Sequence, residues 1–253
     1  YNYGSKEASH STKFYTKIAH GEQGEVRVCI PRALGFALFD KGTDRIVDKR
    51  STGNCPQPIA FPTSEIRLRP HQKDAVRACL LQFGVLPTTT TTKNNADQTI
   101  RCLSTHIIAG CGKGKTIMAL AIARRLGLRT VILTHTEVLM NQWIDRIQDF
   151  FTATVSVGVI RGQRDDVNDP KHPRHLFTVA MIQTLMKKQY SYTEFGFAIA
   201  DECHHIPAES FHNAMMRIPA RYRLGLTATP KRSDSVPISW WFGDGGINLD
   251  QDG

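Results

Sequence analysis

The sequence lacks three features that would each define a class of protein. It has no C-x-x-C pair among its 6 cysteines, no apolar run of membrane length and no signal-peptide pattern. The first absence argues against a zinc ribbon or a disulfide framework and indicates reduced thiols, and the second makes a membrane an unexpected partner. Because the chain begins at Tyr1, we expect an excised or processed piece of an intracellular polypeptide, from cytoplasm or nucleus, that is not secreted.

Negative charge is also scarce. The chain carries 23 Asp and Glu against 32 Lys and Arg, which gives a net charge of +9 and a pI near 9.4. This excess favours an anionic partner, nucleic acid rather than a bilayer interior, although charge alone establishes neither. With 253 residues and 41% hydrophobic content, the chain is long enough for one α/β core and a small additional module.

A phosphate-binding loop is predicted at residues 109–116. It lies between a predicted strand over 102–108 and a predicted helix over 117–126. The stretch matches G-x-x-x-x-G-K-[ST] except at its first position, where Ala109 replaces glycine. Taken alone, it is also compatible with a Gly/Lys-rich surface turn.

The residue types in this loop suit ATP and Mg²⁺, which we expect as cofactors. Gly112 and Gly114 allow backbone N–H groups to turn toward an anion, beside Lys113 and the positive end of the following helix. Lys115 is placed to reach the β- and γ-phosphates, and the Thr116 hydroxyl to ligate Mg²⁺.

A second motif, Asp-Glu-Cys-His-His at 201–205, follows an apolar run at 195–200 that predicts a strand. In a parallel sheet its two carboxylates would share the ligand-binding carboxyl edge with the phosphate loop, which makes the surface-turn interpretation much weaker. We expect Asp201 to hold Mg²⁺ through water and Glu202 to orient and polarise the attacking water. The histidines lack zinc-ligand spacing, so we do not read them as a metal cluster.

Strand-like and helix-like runs alternate through the main part of the chain. This pattern predicts an α/β fold, with a parallel sheet covered by helices on both faces. Residues 1–63 differ, with a strand-like stretch at 25–30, and are predicted to form a small β-containing N-terminal module. Its role stays open between a lid packed on the core and a nucleic-acid- or partner-binding module. The main domain is placed at 64–234 and a linker at 235–253.

Polar side chains at a helix start and at a strand end extend the candidate site. Arg69 and Gln72 lie near the first turn of a predicted helix, where Gln72 offers a donor and an acceptor to an adenine edge. An ordinary capped surface helix accounts for the same residues. Thr134, His135 and Thr136 follow a β-branched run and are candidates to touch a phosphodiester backbone, while a simple N-cap at Thr136 is equally open.

A further strand end and a polar tract also stand out in the sequence. Gln183 and Thr184 lie at the end of another predicted strand and are grouped with the candidate phosphate contacts. The polar tract at 85–98, with its threonine run, is predicted to be a flexible insertion.

Taken in order, these motifs and Thr-Ala-Thr at 227–229 resemble the first motor domain of a superfamily 2 helicase. The Asp-Glu-x-His variant and the Thr-Ala-Thr-Pro-x-Arg-x-Asp run through Asp234 are most similar to the type III restriction subunit and transcription-repair helicase group, and to helicases of large DNA viruses. The resemblance extends from about Arg67 to Asp234 and implies a RecA-like, P-loop NTPase fold for 64–234.

The resemblance also implies roles for single residues. It implies adenine recognition by Gln72, with Arg69 beside it, and water activation by Glu202. It also implies phosphate and Mg²⁺ binding by Lys115, Thr116 and Asp201. It adds that His204, Thr227 and Thr229 couple the nucleotide state to strand binding.

The function that the resemblance implies is an ATP-dependent DNA helicase or translocase. An RNA helicase and a catalytically silent nucleic-acid-binding scaffold remain alternatives, and a different P-loop enzyme such as a kinase is disfavoured by the threonine motif. Helicases of this kind have a second motor domain in the same polypeptide that supplies an arginine finger, so this chain alone is expected to turn ATP over slowly. Replication or transcription machinery is the implied class of protein partner, and a virion is an alternative location.

Overall fold

The structure, a computed structural model, describes most of the predicted main domain and pieces of the predicted N-terminal module. The described residues are 16–20, 26–29, 31–34, 50–53, 60–64, 67–86, 103–169, 171, 174–188, 191–205, 208–229 and 235–250. Residues 87–98 of the predicted insertion, and the 230–234 end of the threonine motif, lie outside them.

The predicted strands and helices of the main domain are present, with ends that shift by one or two residues. The described strands are β1 Thr16–His20, β2 Val26–Cys29, β3 Ser104–Ile108, β4 Thr130–Thr134, β5 Val157–Arg161, β6 Arg164–Asp165, β7 Phe177–Met181, β8 Phe197–Ala200, β9 Tyr222–Thr227 and β10 Ile247–Asn248. The described helices are α1 Pro70–Gln82, α2 Lys115–Leu126, α3 Glu137–Phe150, α4 Ile182–Leu185, α5 Ala208–Met216 and α6 Ser239–Phe242.

Within the described residues, eight strands form one sheet in the order β10-β3-β9-β8-β4-β7-β5-β6. All neighbouring strands in it are parallel except β5 and β6, which are antiparallel. The predicted parallel sheet is therefore confirmed. Because β3, β4, β7, β8 and β9 run in one direction, the loops that follow them open on one edge of the sheet.

The sheet has a hydrophobic core on each face. Ile132 of β4 points to the face where Trp143 and the other buried residues of α1, α2 and α3 pack. The next residue, Leu133, points to the opposite face, where Phe211 of α5 and Trp241 of α6 pack. Side chains of a strand alternate between faces, so a strand with apolar residues at every position is buried on both.

Among the described pieces of residues 1–63, those that include Arg32 and Ser51 contact the main domain at the amino edge of the sheet. The strands β1 and β2 pair with each other as a separate antiparallel ribbon. Arg32 donates from Nη1 to the carbonyl of Arg221 at 3.0 Å and from Nη2 to that of Ala220 at 2.7 Å. Ser51 bridges to Ala220 as well. These contacts lie just before β9 begins, at the end opposite to the phosphate loop. The boundary at residue 63 stays a prediction.

Residues 235–250 pack on the sheet, and the assignment of 235–253 as a linker toward a second motor domain stays a prediction. Ile247 and Asn248 pair in parallel with Ile107 and Ile108 of β3, and Trp241 and Phe242 are each only 1% exposed. A Cβ at Gly225 of β9 would meet the Phe242 ring at 2.9 Å, so the ring lies directly against the strand. The glycine- and aspartate-rich composition of this stretch did not predict its two short elements, α6 and β10, which are stabilised by packing and pairing with the rest of the domain.

Candidate active site

The phosphate loop has the backbone that its glycines predicted. Gly112 and Gly114 have φ of +76° and +87°, the left-handed region that glycine adopts without strain, and Gly114 is the N-cap of α2. Ala109 is fully buried and has no positive φ, so this position does not require glycine. The departure from the usual pattern at the first position therefore leaves the loop conformation intact.

Lys115 brings the two predicted motifs together. Its Nζ donates to the carbonyl oxygen of Ala109 at 2.8 Å and lies 3.7 Å from Oε1 of Glu202. The phosphate loop follows β3 and the acidic motif follows β8, two strands separated in the sheet by β9 alone. The sheet order thus places a cation and a carboxylate from distant parts of the sequence within one ion pair.

Asp201 is held at the sheet edge by two hydrogen bonds. Trp143 donates from its indole Nε1 to Asp201 Oδ2 at 2.7 Å, and the backbone N–H of Glu202 donates to Oδ1 at 3.0 Å. Burial raises the pKa of the Asp201 carboxyl above its usual value, and the hydrogen bond from Trp143 opposes that shift. A buried carboxylate whose two oxygens are both oriented by N–H donors is a suitable ligand for a cation.

Glu202 has an unusual backbone. Its φ is +45°, a left-handed conformation that is uncommon for a residue with a side chain. Its carboxylate lies between Lys115 on one side and His204, whose Nδ1 is 3.4 Å from Oε2, on the other. Backbone strain of this kind concentrates at functional sites, where the surrounding structure maintains it.

The residues expected to couple the site to nucleic acid also meet here. His204 Nδ1 lies 2.7 Å from the Thr227 hydroxyl, and that hydroxyl accepts from the Thr229 backbone N–H at 3.1 Å. Thr227 ends β9, the strand that lies between those carrying the phosphate loop and the acidic motif. A continuous set of contacts thus runs from Lys115 through Glu202 and His204 to the threonine motif.

Gln72 connects α1 to the phosphate loop. The side chain is 5% exposed; its Oε1 accepts from the Arg69 backbone N–H at 2.9 Å, and its Nε2 donates to the Lys113 carbonyl at 3.0 Å. The first contact is the helix-capping alternative considered from the sequence. The second was not anticipated and sets the side chain at the edge of the loop, where a Cβ on Gly114 would collide with it. Adenine recognition by Gln72 stays a prediction.

The three residues after β4 have different environments. Thr134 is fully buried, and its hydroxyl donates to the Met181 sulfur at 3.7 Å, so it faces the neighbouring strand β7. The Thr136 hydroxyl accepts from the Leu139 N–H at 3.3 Å, which is the N-cap alternative. His135 is partly exposed, and burial lowers the pKa of its imidazole. His135 is thus the member of this trio with a side chain open to a ligand at the edge.

The loops after β4, β5 and β7 are joined by hydrogen bonds. Gln183 Nε2 donates to the His135 carbonyl at 2.9 Å, and the Thr184 hydroxyl accepts from the Gly162 N–H at 2.9 Å. The predicted nucleic-acid residues Gln183 and Thr184 therefore lie beside those after β4. Gly162 was not singled out in the sequence, since its role depends on a partner 22 residues away.

A parallel α/β sheet with a phosphate loop and a carboxylate pair at one edge defines a P-loop NTPase of the RecA-like type. Residues 65–232 match the family described as type III restriction enzyme, res subunit, and the chain belongs to that family of superfamily 2 helicases. The predicted family and fold class are confirmed.

Relatives in sequence and in structure agree with this assignment. The chain is 34% identical over 223 residues to a putative ATP-dependent RNA helicase of Acanthamoeba polyphaga mimivirus, covering 85% of this chain and 37% of that protein. It is 28% identical over 180 residues to the DNA 3'-5' translocase XPB2 of Sulfurisphaera tokodaii, covering 70% of this chain and 34% of that protein. In structure it resembles the UvsW helicase of bacteriophage T4, with a TM-score of 0.53, 18% identity and coverage of 76% of this chain and 63% of that chain.

The chain spans about a third of the length of the two sequence relatives named above, 37% and 34%. Across the ranges that the structure describes, there is no helix with both the length and the apolar character to cross a membrane.

Proposed function

We propose that this chain is the ATP-binding motor part of an ATP-dependent DNA helicase or translocase, in which hydrolysis is coupled to movement on nucleic acid. The observation that carries the proposal is the ion pair between Lys115 Nζ and Glu202 Oε1 at 3.7 Å. It joins the phosphate loop and the acidic motif at one edge of the sheet, which is the juxtaposition that phosphoryl transfer to water requires.

The residues at the edge fit ATP and Mg²⁺. Lys115 and the loop backbone at 112–116 would bind the phosphates, and in doing so the ammonium would exchange its contact with the Ala109 carbonyl for a phosphate oxygen. Thr116 and Asp201 would hold Mg²⁺, which supplies charge neutralisation and polarisation of the phosphoryl oxygens when bound. Gln72, at the margin of the loop, would contact the base.

Glu202 would act on the attacking water. Its carboxylate lies next to Lys115 of the phosphate loop, and its backbone has a positive φ. A carboxylate in this place accepts a hydrogen bond from water and takes up its proton as the phosphoryl group is transferred. His204, which contacts both Glu202 and Thr227, would couple the state of this site to the strand-binding loops.

DNA is favoured as the substrate, with RNA as the alternative. The relative from Sulfurisphaera tokodaii is named a DNA translocase, whereas the mimivirus relative is named a putative RNA helicase. The net charge of +9 suits either phosphate backbone. A second motor domain in the parent polypeptide, and replication or transcription machinery as a partner, belong to the same proposal.

The experiment measures ATP hydrolysis by the full-length protein with single- and double-stranded DNA and RNA side by side. DNA stimulating more than RNA supports the proposal, and stimulation by RNA alone selects the RNA helicase. No stimulation by any nucleic acid contradicts a motor and favours a silent scaffold or an unrelated P-loop enzyme.

Substitution of Glu202 tests its role in the same assay. Glu202→Gln is expected to keep MgATP binding and slow hydrolysis by about 10²-fold or more, because an amide accepts a proton from water poorly. Lys115→Ala is the matched control and should lose nucleotide binding as well. Equal loss of binding and turnover in Glu202→Gln would make Glu202 a metal or structural residue.

A further inference from the structure

We propose that Trp143 is a positioning residue, which fixes the orientation of the Asp201 carboxylate toward the metal of the bound nucleotide. The inference rests on the proposed function, because it concerns the same metal. Trp143 lies in α3 and belongs to none of the sequence motifs described above.

Three hydrogen bonds restrict the main chain and the carboxylate of Asp201. Its backbone N–H donates to the Leu133 carbonyl at 3.0 Å, which fixes the main chain to β4. Oδ1 accepts from the Glu202 backbone N–H at 3.0 Å. The remaining rotation of the carboxylate is stopped by the Trp143 indole at Oδ2, 2.7 Å away. Both residues are buried, with 2% and 7% of their surface exposed, so water does not compete for this bond.

The chemistry of the donor suits a metal ligand. An indole N–H donates one hydrogen bond, accepts none and carries no charge. It therefore orients the carboxylate and leaves its negative charge for a cation, whereas Lys or Arg in the same place would neutralise it. The nearby cation Lys115 forms its ion pair with Glu202, at 3.7 Å, and the indole of Trp143 donates the side-chain hydrogen bond to Asp201.

Trp143 is itself held firmly. It lies in the middle of α3, within the core that also includes Met140 and Ile147 of the same helix. The helix starts at a capped turn, with Thr136 accepting from Leu139. A large side chain in a packed core keeps one rotamer, so the position of its N–H is set by the fold rather than by the ligand.

The test compares Mg²⁺-dependent nucleotide binding in wild-type chain and variants that remove the indole donor. Trp143→Phe keeps an aromatic ring, and replacement by 3-benzothienylalanine keeps the shape of tryptophan and lacks only the N–H. Binding of a fluorescent ATP analogue is measured in EDTA and across an Mg²⁺ titration. Trp241→Phe, the same change at a buried indole that packs on Phe211, is the matched control.

We expect the Mg²⁺ concentration at half-saturation to rise about tenfold or more in both Trp143 variants, as for other partners that orient metal ligands. Their affinity in EDTA should stay within about twofold of wild type, because the phosphate loop is intact. Trp241→Phe should leave both quantities unchanged. If circular dichroism shows that Trp143→Phe is unfolded, the Mg²⁺ dependence of the benzothienyl variant alone tests the inference.

Two results would overturn the inference while the proposed function stands. One is wild-type Mg²⁺ dependence in the benzothienyl variant, and the other is an equal loss of affinity with and without Mg²⁺, which marks a structural role. A wild-type chain that binds no adenine nucleotide at any Mg²⁺ concentration would overturn the proposed function, and this inference with it.

Discussion

Asp201 shows how a buried carboxylate lowers the stability of the fold that contains it. Burial raises the pKa of its carboxyl above the ordinary value of 3.8, so the folded chain binds this proton more tightly than the unfolded chain does. The free energy of unfolding therefore falls as pH rises from the unfolded pKa through the folded pKa. Bound Mg²⁺ would offset the free-energy cost of burying the charged Asp201 carboxylate.

From this we predict that Asp201→Asn stabilises the metal-free chain at neutral pH. The amide is neutral, so it avoids the cost of burying a charge, which outweighs the loss of one acceptor. Its oxygen still accepts from the Trp143 indole, and its NH₂ group takes the place of the oxygen that accepts from the Glu202 N–H. Chemical denaturation in EDTA should give a higher midpoint for the variant at pH 7, and the difference should vanish near pH 3, where aspartate is protonated in both states. Mg²⁺ added to saturating ATP should further stabilise wild type and have little further effect on the variant, whose phosphate loop still binds ATP. A less stable variant at pH 7 would contradict this account.

At the level of single residues, the sequence predicted the positions of side chains that belong to a short motif. Lys115 and Glu202 were predicted as partners in one site because each follows a predicted strand, and the structure brings them together. The Trp143 contact was not predictable, since its acceptor is 58 residues away and an indole on an apolar face signals only burial. The burial of Thr134 against Met181 was missed for the same reason.

At the level of elements, strands with β-branched or apolar residues at every position were predictable, and those stabilised by neighbours were not. β4 and β8 are buried on both faces, so the residue type at every position indicates a strand inside a covered sheet. β10 has two residues and α6 has four, too few to show a period. The short helix forms because Trp241 and Phe242 pack against Phe211 of α5, and β10 forms because it pairs with β3. Both causes are tertiary contacts.

Phe242 therefore carries a prediction about stability. It is 1% exposed, lies against Gly225 and has its ring centroid 5.8 Å from that of Phe211. Phe242→Ala should reduce the free energy of unfolding by about 3–5 kcal/mol, the range for truncating a buried aromatic. Urea denaturation measures the loss. Val138→Ala, at a side chain 65% exposed, is the control and should change it by less than about 0.5 kcal/mol. A loss in Phe242→Ala as small as in the control would show that 239–250 does not support the fold.

The whole molecule combines a basic charge excess with one edge that carries all the candidate contacts. His135 and Gln183 lie at that edge, joined through a hydrogen bond between the Gln183 side chain and the His135 carbonyl. Contacts of this kind reach a phosphate backbone and carry no direct information on base sequence. The N-terminal pieces that contact the domain do so at the opposite edge, through Arg32 and Ser51.

We accordingly predict nucleic-acid binding that is weak, indifferent to sequence and steeply dependent on salt. Affinity for a single-stranded oligonucleotide should fall by about tenfold or more between 50 and 200 mM salt, since each neutralised phosphate releases counterion. Fluorescence anisotropy measures this, and an oligonucleotide of scrambled sequence should bind equally well. Affinity that is nearly constant over this range would contradict a phosphate-based contact.

The pairing of residues 247–249 with β3 determines where the chain can be shortened. Leu249 continues the pairing with a hydrogen bond to the Ile108 carbonyl at 2.9 Å, and upstream Thr105 donates to the Gly245 carbonyl at 2.9 Å. A chain cut at 234, the domain end that the motifs suggested, would turn β3 into an exposed edge strand with unpaired N–H and C=O groups. Such edges pair with other molecules, so this shortened chain would self-associate beside its own phosphate loop.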